Sequence, residues 1–227
     1  MEEQLDLIRN INKPLNWTSF DVCNYLKREY PRKTKIGHAG TLDPLATGVL
    51  VVAVGKATKR IDSIQATVKE YVANITFGAT TATYDAEIYP DNVLQTGFLN
   101  KQIVESKIKN FVGEITQLPP IYSALKINGK KAYELARAGV KVELKPRIIT
   151  IYSIELLKFT QSEYITVIDI KVTCSKGTYI RSLAHDLGQE LGCGGFLTGL
   201  IRTKVGEYSL ENSEIFDFNL PKRLDSK

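Results

Sequence analysis

Gly37-His38-Ala39-Gly40-Thr41-Leu42-Asp43-Pro44-Leu45-Ala46-Thr47-Gly48 is a glycine-rich, proline-bearing stretch that runs straight into Val49-Leu50-Val51-Val52-Ala53-Val54. An unbroken aliphatic run of this length suits a strand covered on both faces, so the loop before it is anchored to a sheet. Its three glycines allow turns and close approaches that other residues resist. Pro44 disfavours helical geometry at Asp43. A carboxylate on so stiff a backbone can serve as nucleophile or general base. Asp-Pro and paired glycines are also ordinary turn chemistry, and the loop alone leaves both readings open. It is not a phosphate loop: GxGxxG and the GxxxxGKS/T pattern are both missing, and Gly55-Lys56-Ala57-Thr58 lacks the upstream glycine.

Outward from this loop the pattern mixes helices and strands. Ser19 caps a predicted helix through Lys27, with Phe20, Cys23 and Leu26 at helical spacing. Val68 to Phe77 alternates as a strand ended by Gly78. A helix from Asn100 is expected to bury Val104, Ile108, Phe111 and Val112, with Gly113 closing it. The β-branched segments Ile148–Leu157 and Tyr164–Cys174 pair. Tyr179 to Leu191 places Ile180, Leu183, Ala184, Leu187 and Leu191 on one helical face, and Gly192 is the stop. Without a strict βαβ rhythm this reads as α+β, a largely antiparallel sheet flanked by helices. No repeat, low-complexity tract or linker divides the chain, so a single domain over residues 1–227 is expected.

The 227 residues are 43% hydrophobic and 24% charged, too apolar for a disordered chain. No apolar run reaches the roughly 18 residues of a membrane span, and the acidic start lacks a secretory h-region. Cys23, Cys174 and Cys193 are odd in number and scattered, which argues against a disulfide framework. Two histidines without a ligand cluster argue against zinc. A cytoplasmic chain with no metal is the expectation. Thirty Lys and Arg against 25 Asp and Glu leave a net +5. Residues 126–147 hold Lys126, Lys130, Lys131, Arg137, Lys141, Lys145 and Arg147 against only Glu134 and Glu143, with Tyr122 and Tyr133 nearby. A second cluster is Lys27, Arg28, Arg32, Lys33 and Lys35, opposed by Glu29. One such run is usually a solvated face; two point to an anionic polymer.

Ser175-Lys176-Gly177-Thr178-Tyr179-Ile180-Arg181 joins a strand to a helix, with Thr178 the expected N-cap. Arg181 then sits in the first turn against the helix dipole, where a phosphate or carboxylate partner would offset the cost. At this point several segments together resemble the TruB family of tRNA pseudouridine synthases. They are GHAGTLDPLATGVL at 37–50, Lys13-Pro14 with Trp17-Thr18-Ser19, Lys69-Glu70-Tyr71, and Pro120-Ile121-Tyr122-Ser123-Ala124-Leu125-Lys126. Gly129-Lys130-Lys131-Ala132-Tyr133, the segment from Cys174 to Leu183, and Leu200-Ile201-Arg202-Thr203 follow in family order. The resemblance covers about residues 9–207.

The resemblance implies the pseudouridine synthase fold and isomerisation of uridine 55 in the T arm of tRNA, with base flipping and no cofactor. It implies Asp43 as catalytic aspartate, acting either by attack on the base or sugar or as a base toward the sugar. Tyr71 corresponds to the tyrosine that stacks on the target base and helps remove the C5 proton. Arg181 corresponds to the arginine that pairs with the aspartate. Tyr179 and Leu200 would line the uracil pocket, Asp85 would lie near the arginine, His38 near the flipped nucleotide, and Lys13 beside the site. The basic thumb, about residues 114–147, would close on the T arm through Lys126, Lys130, Lys131 and Arg137. The chain departs from the family pattern at Asn16, in place of glycine, and at Ala82, in place of an acid. Only about 20 residues follow the last motif, so no C-terminal PUA domain is expected, and a single-domain monomer should lean on its thumb for tRNA binding. Two rivals are a non-catalytic tRNA-folding chaperone of the same fold and a glycoside hydrolase using Asp43 and Asp85.

Overall fold

The aliphatic run at 49–54 forms a strand with no exposed side chain. The computed structural model describes residues 5–215 apart from 128 and 141. It divides into one unit reaching to Gln65 and resuming at Arg202, and a second from Ala66 to Ile201. In the first unit the elements are β1 (Asp6–Lys13), α1 (Ser19–Leu26), β2 (Ile36–His38), β3 (Ala46–Gly55) and α2 (Ile61–Gln65). β3 pairs antiparallel with β1, from Lys13↔Gly48 to Asp6↔Gly55, and with β2 from His38↔Val52 to Ile36↔Val54. Leu50 and Val52 pack with Ile11, Val22, Cys23 and Leu26, while Val49 and Val51 pack with Ala39 and Val205. Each face of β3 therefore has its own core, which is why its sequence does not alternate.

α1 starts from Thr18, one residue before the expected cap. Thr18 Oγ1 accepts the Asp21 N–H at 3.0 Å, and the Asp21 carboxylate accepts the Thr18 N–H at 3.0 Å, a reciprocal capping box. The buried stripe is Ser19, Val22, Cys23 and Leu26, and Phe20 faces outward at 63% exposure. The helix ends at Leu26 and tightens into a 3-10 turn over Lys27–Glu29.

The second unit contains β4 (Lys69–Phe77), α3 (Lys101–Lys109), β5 (Gly113–Gln117), β6 (Lys126–Ile127), β7 (Lys130–Lys131) and α4 (Ala132–Arg137). β8 (Arg147–Gln161), β9 (Thr166–Cys174), α5 (Ile180–Glu190) and β10 (Gly195–Val205) follow. β10 re-enters the first unit at Arg202, where its end pairs with β11 (Tyr208–Ser209). β5, β8, β9 and β4 lie side by side, all antiparallel, so the α+β reading holds. β4 alternates as expected, burying Lys69, Tyr71, Ala73, Ile75 and Phe77. Asn100 caps α3 by accepting the Ile103 N–H at 2.9 Å. The apolar stripe of α3 ends at Ile108; Val112 is 44% exposed, and Gly113, at φ 111°, opens β5 instead of closing the helix. α5 buries Ile180, Leu183, Ala184 and Leu187 as its spacing predicts. No helix among the described residues is long and apolar enough to cross a membrane.

Candidate active site

In the first unit the loop from β2 to β3 is held from three sides. The Asp43 backbone carbonyl accepts the Ala46 N–H at 3.0 Å, closing a turn with Pro44 at its second position. Ser19, freed from capping, takes the Leu42 N–H at 2.8 Å and donates to the Leu42 carbonyl at 3.1 Å. The fully buried Lys13 points its Nζ at the carbonyls of Trp17 (2.6 Å), Pro14 (2.9 Å) and Pro44 (3.4 Å). Burial pulls the Lys13 ammonium down to about 8, against the opposing pull of Asp43 and with the help of Arg202. Arg202, also buried, donates Nε to the Val49 carbonyl at 2.7 Å, Nη2 to Gly40 at 3.1 Å and Nη1 to Thr41 at 3.4 Å. A Cβ at Gly48 (φ 100°) would overlap the Arg202 carbonyl, so only glycine fits there. Asn16 adopts φ 64° and donates its N–H to Pro44 O at 2.8 Å, supplying the left-handed geometry that a glycine would. His38 ends β2; burial first, then Arg202, lowers its pKa, and its Nδ1 has no hydrogen-bond partner among the described residues.

In the second unit Arg181 opens α5 and is 5% exposed. Its Nη1 donates to the Thr83 carbonyl at 3.1 Å and lies 3.3 Å from Asp85 Oδ2, while Nη2 donates to the Tyr122 carbonyl at 2.9 Å. Asp85 Oδ1 accepts from Thr83 Oγ1 at 2.6 Å and from the Glu87 N–H at 3.0 Å. An anion thus meets the arginine at the helix start, as its placement against the dipole anticipates. Between these residues Tyr84, at φ 62°, stacks on His185 with centroids 3.9 Å apart. Burial lowers the His185 pKa and lifts the neighbouring Asp186 to about 6.

Tyr179, not Thr178, is the N-cap of α5, and Thr178 Oγ1 instead donates to the Ser175 carbonyl at 3.0 Å. With no side-chain cap, the Tyr179 backbone is held by Gln117, whose Oε1 accepts its N–H at 2.8 Å and whose Nε2 donates to its carbonyl at 3.1 Å. Tyr71 lies on the inner face of β4 at 8% exposure, and Leu200 is half-buried on β10. Sequence reading assigned no part to Gln117 or Arg202, and gave Ser19 only a helix cap. Arg202 stood inside a quoted motif, but nothing in its neighbours signalled that its guanidinium turns back onto the loop.

The four thumb residues expected to contact RNA, Lys126, Lys130, Lys131 and Arg137, are exposed. β6 and β7 form a short hairpin with Lys126 opposite Lys131. Lys126 and Lys130 have no ion pair among the described residues. Lys131 Nζ reaches Tyr133 Oη at 3.3 Å, and Arg137 is paired with Glu87 at 2.8 Å. Lys141 lies outside the described residues. Among the described residues no group of three or more His, Cys, Asp or Glu side chains is placed to hold a metal ion.

Comparison with known proteins gives two family matches that together run through most of the chain. Residues 27–180 match the TruB family pseudouridylate synthase N-terminal domain, and residues 181–219 the tRNA pseudouridylate synthase B C-terminal domain. A tRNA pseudouridine synthase B of Bacteroides fragilis is 53% identical over 205 residues, 88% of this chain and 86% of the relative. Its counterpart in Parabacteroides distasonis is 50% identical over 216 residues, 91% and 90% of the two chains. Among solved structures, a Cbf5–Nop10–Gar1 complex matches 94% of this chain at 30% identity and a TM-score of 0.70. An H/ACA ribonucleoprotein bound to a substrate RNA containing 2′-deoxyuridine matches 93% at 27% identity and a TM-score of 0.65. The chain spans about half the length of the matched chain in each, 53% and 51%. With the Asp43 loop, the Arg181 cluster and the full order of motifs in place, these matches show that the chain belongs to the TruB family of pseudouridylate synthases.

Proposed function

We propose that the chain isomerises uridine 55 in the T arm of tRNA to pseudouridine, with Asp43, Tyr71 and Arg181 as its catalytic set. The observation that carries the reading is the Asp43 loop, whose backbone carbonyls are tied down by Lys13 and Arg202 and whose Leu42 is held by Ser19. Such a loop holds its carboxylate in one orientation before substrate arrives, the preorganisation that positioned catalysis needs. The relatives named tRNA pseudouridine synthase B supply the substrate class.

In the reaction the N1–C1′ bond breaks, the uracil turns, and a C5–C1′ bond forms. C5 gives up its proton and N1 ends protonated, so atoms and electrons balance without a redox partner. Asp43 acts at the sugar or base, by attack or by deprotonation. Tyr71 stacks on the uracil and accepts the C5 proton. Arg181 holds negative charge at the site, with Asp85 fixing its orientation. Tyr179 and Leu200 line the base pocket, His38 meets the flipped nucleotide, and Lys13 supports the loop. Flipping costs a few kcal/mol, which stacking partly offsets. Lys126, Lys130, Lys131 and Arg137 contact T-arm phosphates. The enzyme works as a monomer in the cytoplasm, where its substrate is.

The test is tritium release from C5-labelled uridine in an unmodified T-arm stem-loop and in full-length tRNA, for wild type and Asp43→Asn. Wild type is expected to release tritium from both, and the variant from neither. Tight binding without release from either RNA would replace the synthase with an RNA-folding chaperone.

A further inference from the structure

The first unit carries a group of cations that the Asp43 loop does not use. Arg28, Arg32, Lys33 and Lys35 are exposed, and none has an ion pair among the described residues. The one acid within this run, Glu29, is taken by Arg9, whose Nη1 lies 2.9 Å from Glu29 Oε2. The run therefore keeps its full positive charge. Gly55 donates its N–H to the Lys35 carbonyl at 2.8 Å, and the 3-10 turn Lys56–Arg60 begins at the next residue. That turn adds exposed Lys56 and Lys59, while Arg60 is neutralised by Asp6 at 3.1 Å.

Lys35, Lys56 and Lys59, with Arg32 and Lys33 just before Lys35 in the chain, adjoin the end of β3 opposite to Asp43, and Arg28 reaches back from them toward the loop. The turn at Asp43 closes on Ala46, and Lys35 bonds Gly55; the nine residue steps between them span roughly 30 Å at ~3.3 Å per step. Two rings lie between. The Arg28 guanidinium sits 5.7 Å from the centroid of Tyr25, and Tyr25 meets Trp17 edge-on at 6.0 Å. Trp17 in turn offers its carbonyl to Lys13 at the base of the Asp43 loop. Arg28 is thus held against a ring, which lowers the entropy it loses on binding an anion.

We propose that this end of the first unit is a second RNA-contact surface, where Arg28, Arg32, Lys33, Lys35, Lys56 and Lys59 hold substrate phosphates outside the T-arm stem-loop. The proposal rests on the tRNA reading above. The roughly 30 Å of β3 that separate Lys35 and Lys56 from the turn at Asp43 direct these cations to phosphates farther along the RNA than the nucleotide proposed to react. Phosphate backbone needs only spaced, unpaired positive charge. A protein partner would need an apolar anchor, and between Arg28 and Lys35 the candidates are poor: Tyr30 is half-buried with its hydroxyl bonded to Arg9, leaving Pro31.

The experiment measures affinity for unmodified full-length tRNA and for the isolated T-arm stem-loop across a salt series, using wild type and the triple variant Arg32→Ala, Lys33→Ala, Lys35→Ala. All three side chains are exposed and have no ion pair among the described residues, and turnover on the stem-loop monitors the fold. The variant is expected to bind full-length tRNA about 10-fold more weakly, with its salt slope smaller by about 2. Its stem-loop affinity and turnover stay at wild-type values. Unchanged affinity for full-length tRNA overturns the surface, and an equal loss on both RNAs overturns its placement outside the T arm. Absence of tritium release by wild type would instead strike the synthase reading, and the affinity comparison would still judge the surface.

Discussion

Arg181 shows how much one side chain can organise. Its two terminal nitrogens reach three groups on two segments, the Thr83 carbonyl and Asp85 carboxylate on one and the Tyr122 carbonyl on the other. A lysine has one nitrogen and cannot span that fork. Truncation to alanine would also leave Asp85 buried without its cation, costing about 3–5 kcal/mol and confusing folding with function. Arg181→Lys keeps the charge and is the cleaner probe. Turnover of the stem-loop is expected to fall by at least ~100-fold, the scale of losing a preorganised electrostatic group, while RNA affinity changes less than about 3-fold. Wild-type turnover in the lysine variant would remove Arg181 from the catalytic set.

Elements place such residues through contacts that sequence spacing does not reveal. The apolar run of β3, the alternation of β4 and the stripe of α5 were all legible because burial repeats with the period of the element. Caps were not. Thr18 displaced Ser19 because the Asp21 carboxylate completes a box only with Thr18, and the serine then became a clamp on Leu42. At α5 the expected Thr178 cap was displaced by a residue 62 positions away, the Gln117 side chain, which pairs with Tyr179 as a strand neighbour would. Long-range bonds of this kind, like those of Arg202 to the Asp43 loop, have no local signature. Asn16 is the contrary case, a departure from the family pattern whose left-handed backbone follows from what asparagine tolerates. Gln117→Leu removes both of its bonds to Tyr179; the Tyr179 carbonyl keeps the Leu183 N–H at 3.1 Å, so the cost, about 1–3 kcal/mol, falls on the N–H. The expected result is a lower thermal midpoint together with a raised KM for the stem-loop, since Tyr179 lines the proposed base pocket. A fall in stability with KM unchanged would confine Gln117 to a structural part.

At the scale of the whole molecule, stability records charges that folding places badly. Burial lifts Asp186 from 3.8 to about 6, so the folded chain holds this proton more tightly than the unfolded chain does. Between those two values the folded state binds the extra proton, and stability falls as pH rises; above about 6 the whole cost is present. A carboxyl raised this far corresponds to about 3 kcal/mol. Solvent contact of a half-buried carboxylate reduces this to about 1 kcal/mol. Asp186→Asn removes the charge and keeps the shape. Its thermal midpoint at pH 8 should exceed that of wild type by about 2–4 °C, a typical response to 1 kcal/mol in a chain of this size. The gain should shrink through pH 6 and vanish by about pH 4, where wild-type Asp186 is itself protonated. A gain that persists undiminished at pH 4 would assign the effect to packing, and a loss at pH 8 would mean that the carboxylate is stabilised by a partner strong enough to outweigh its burial.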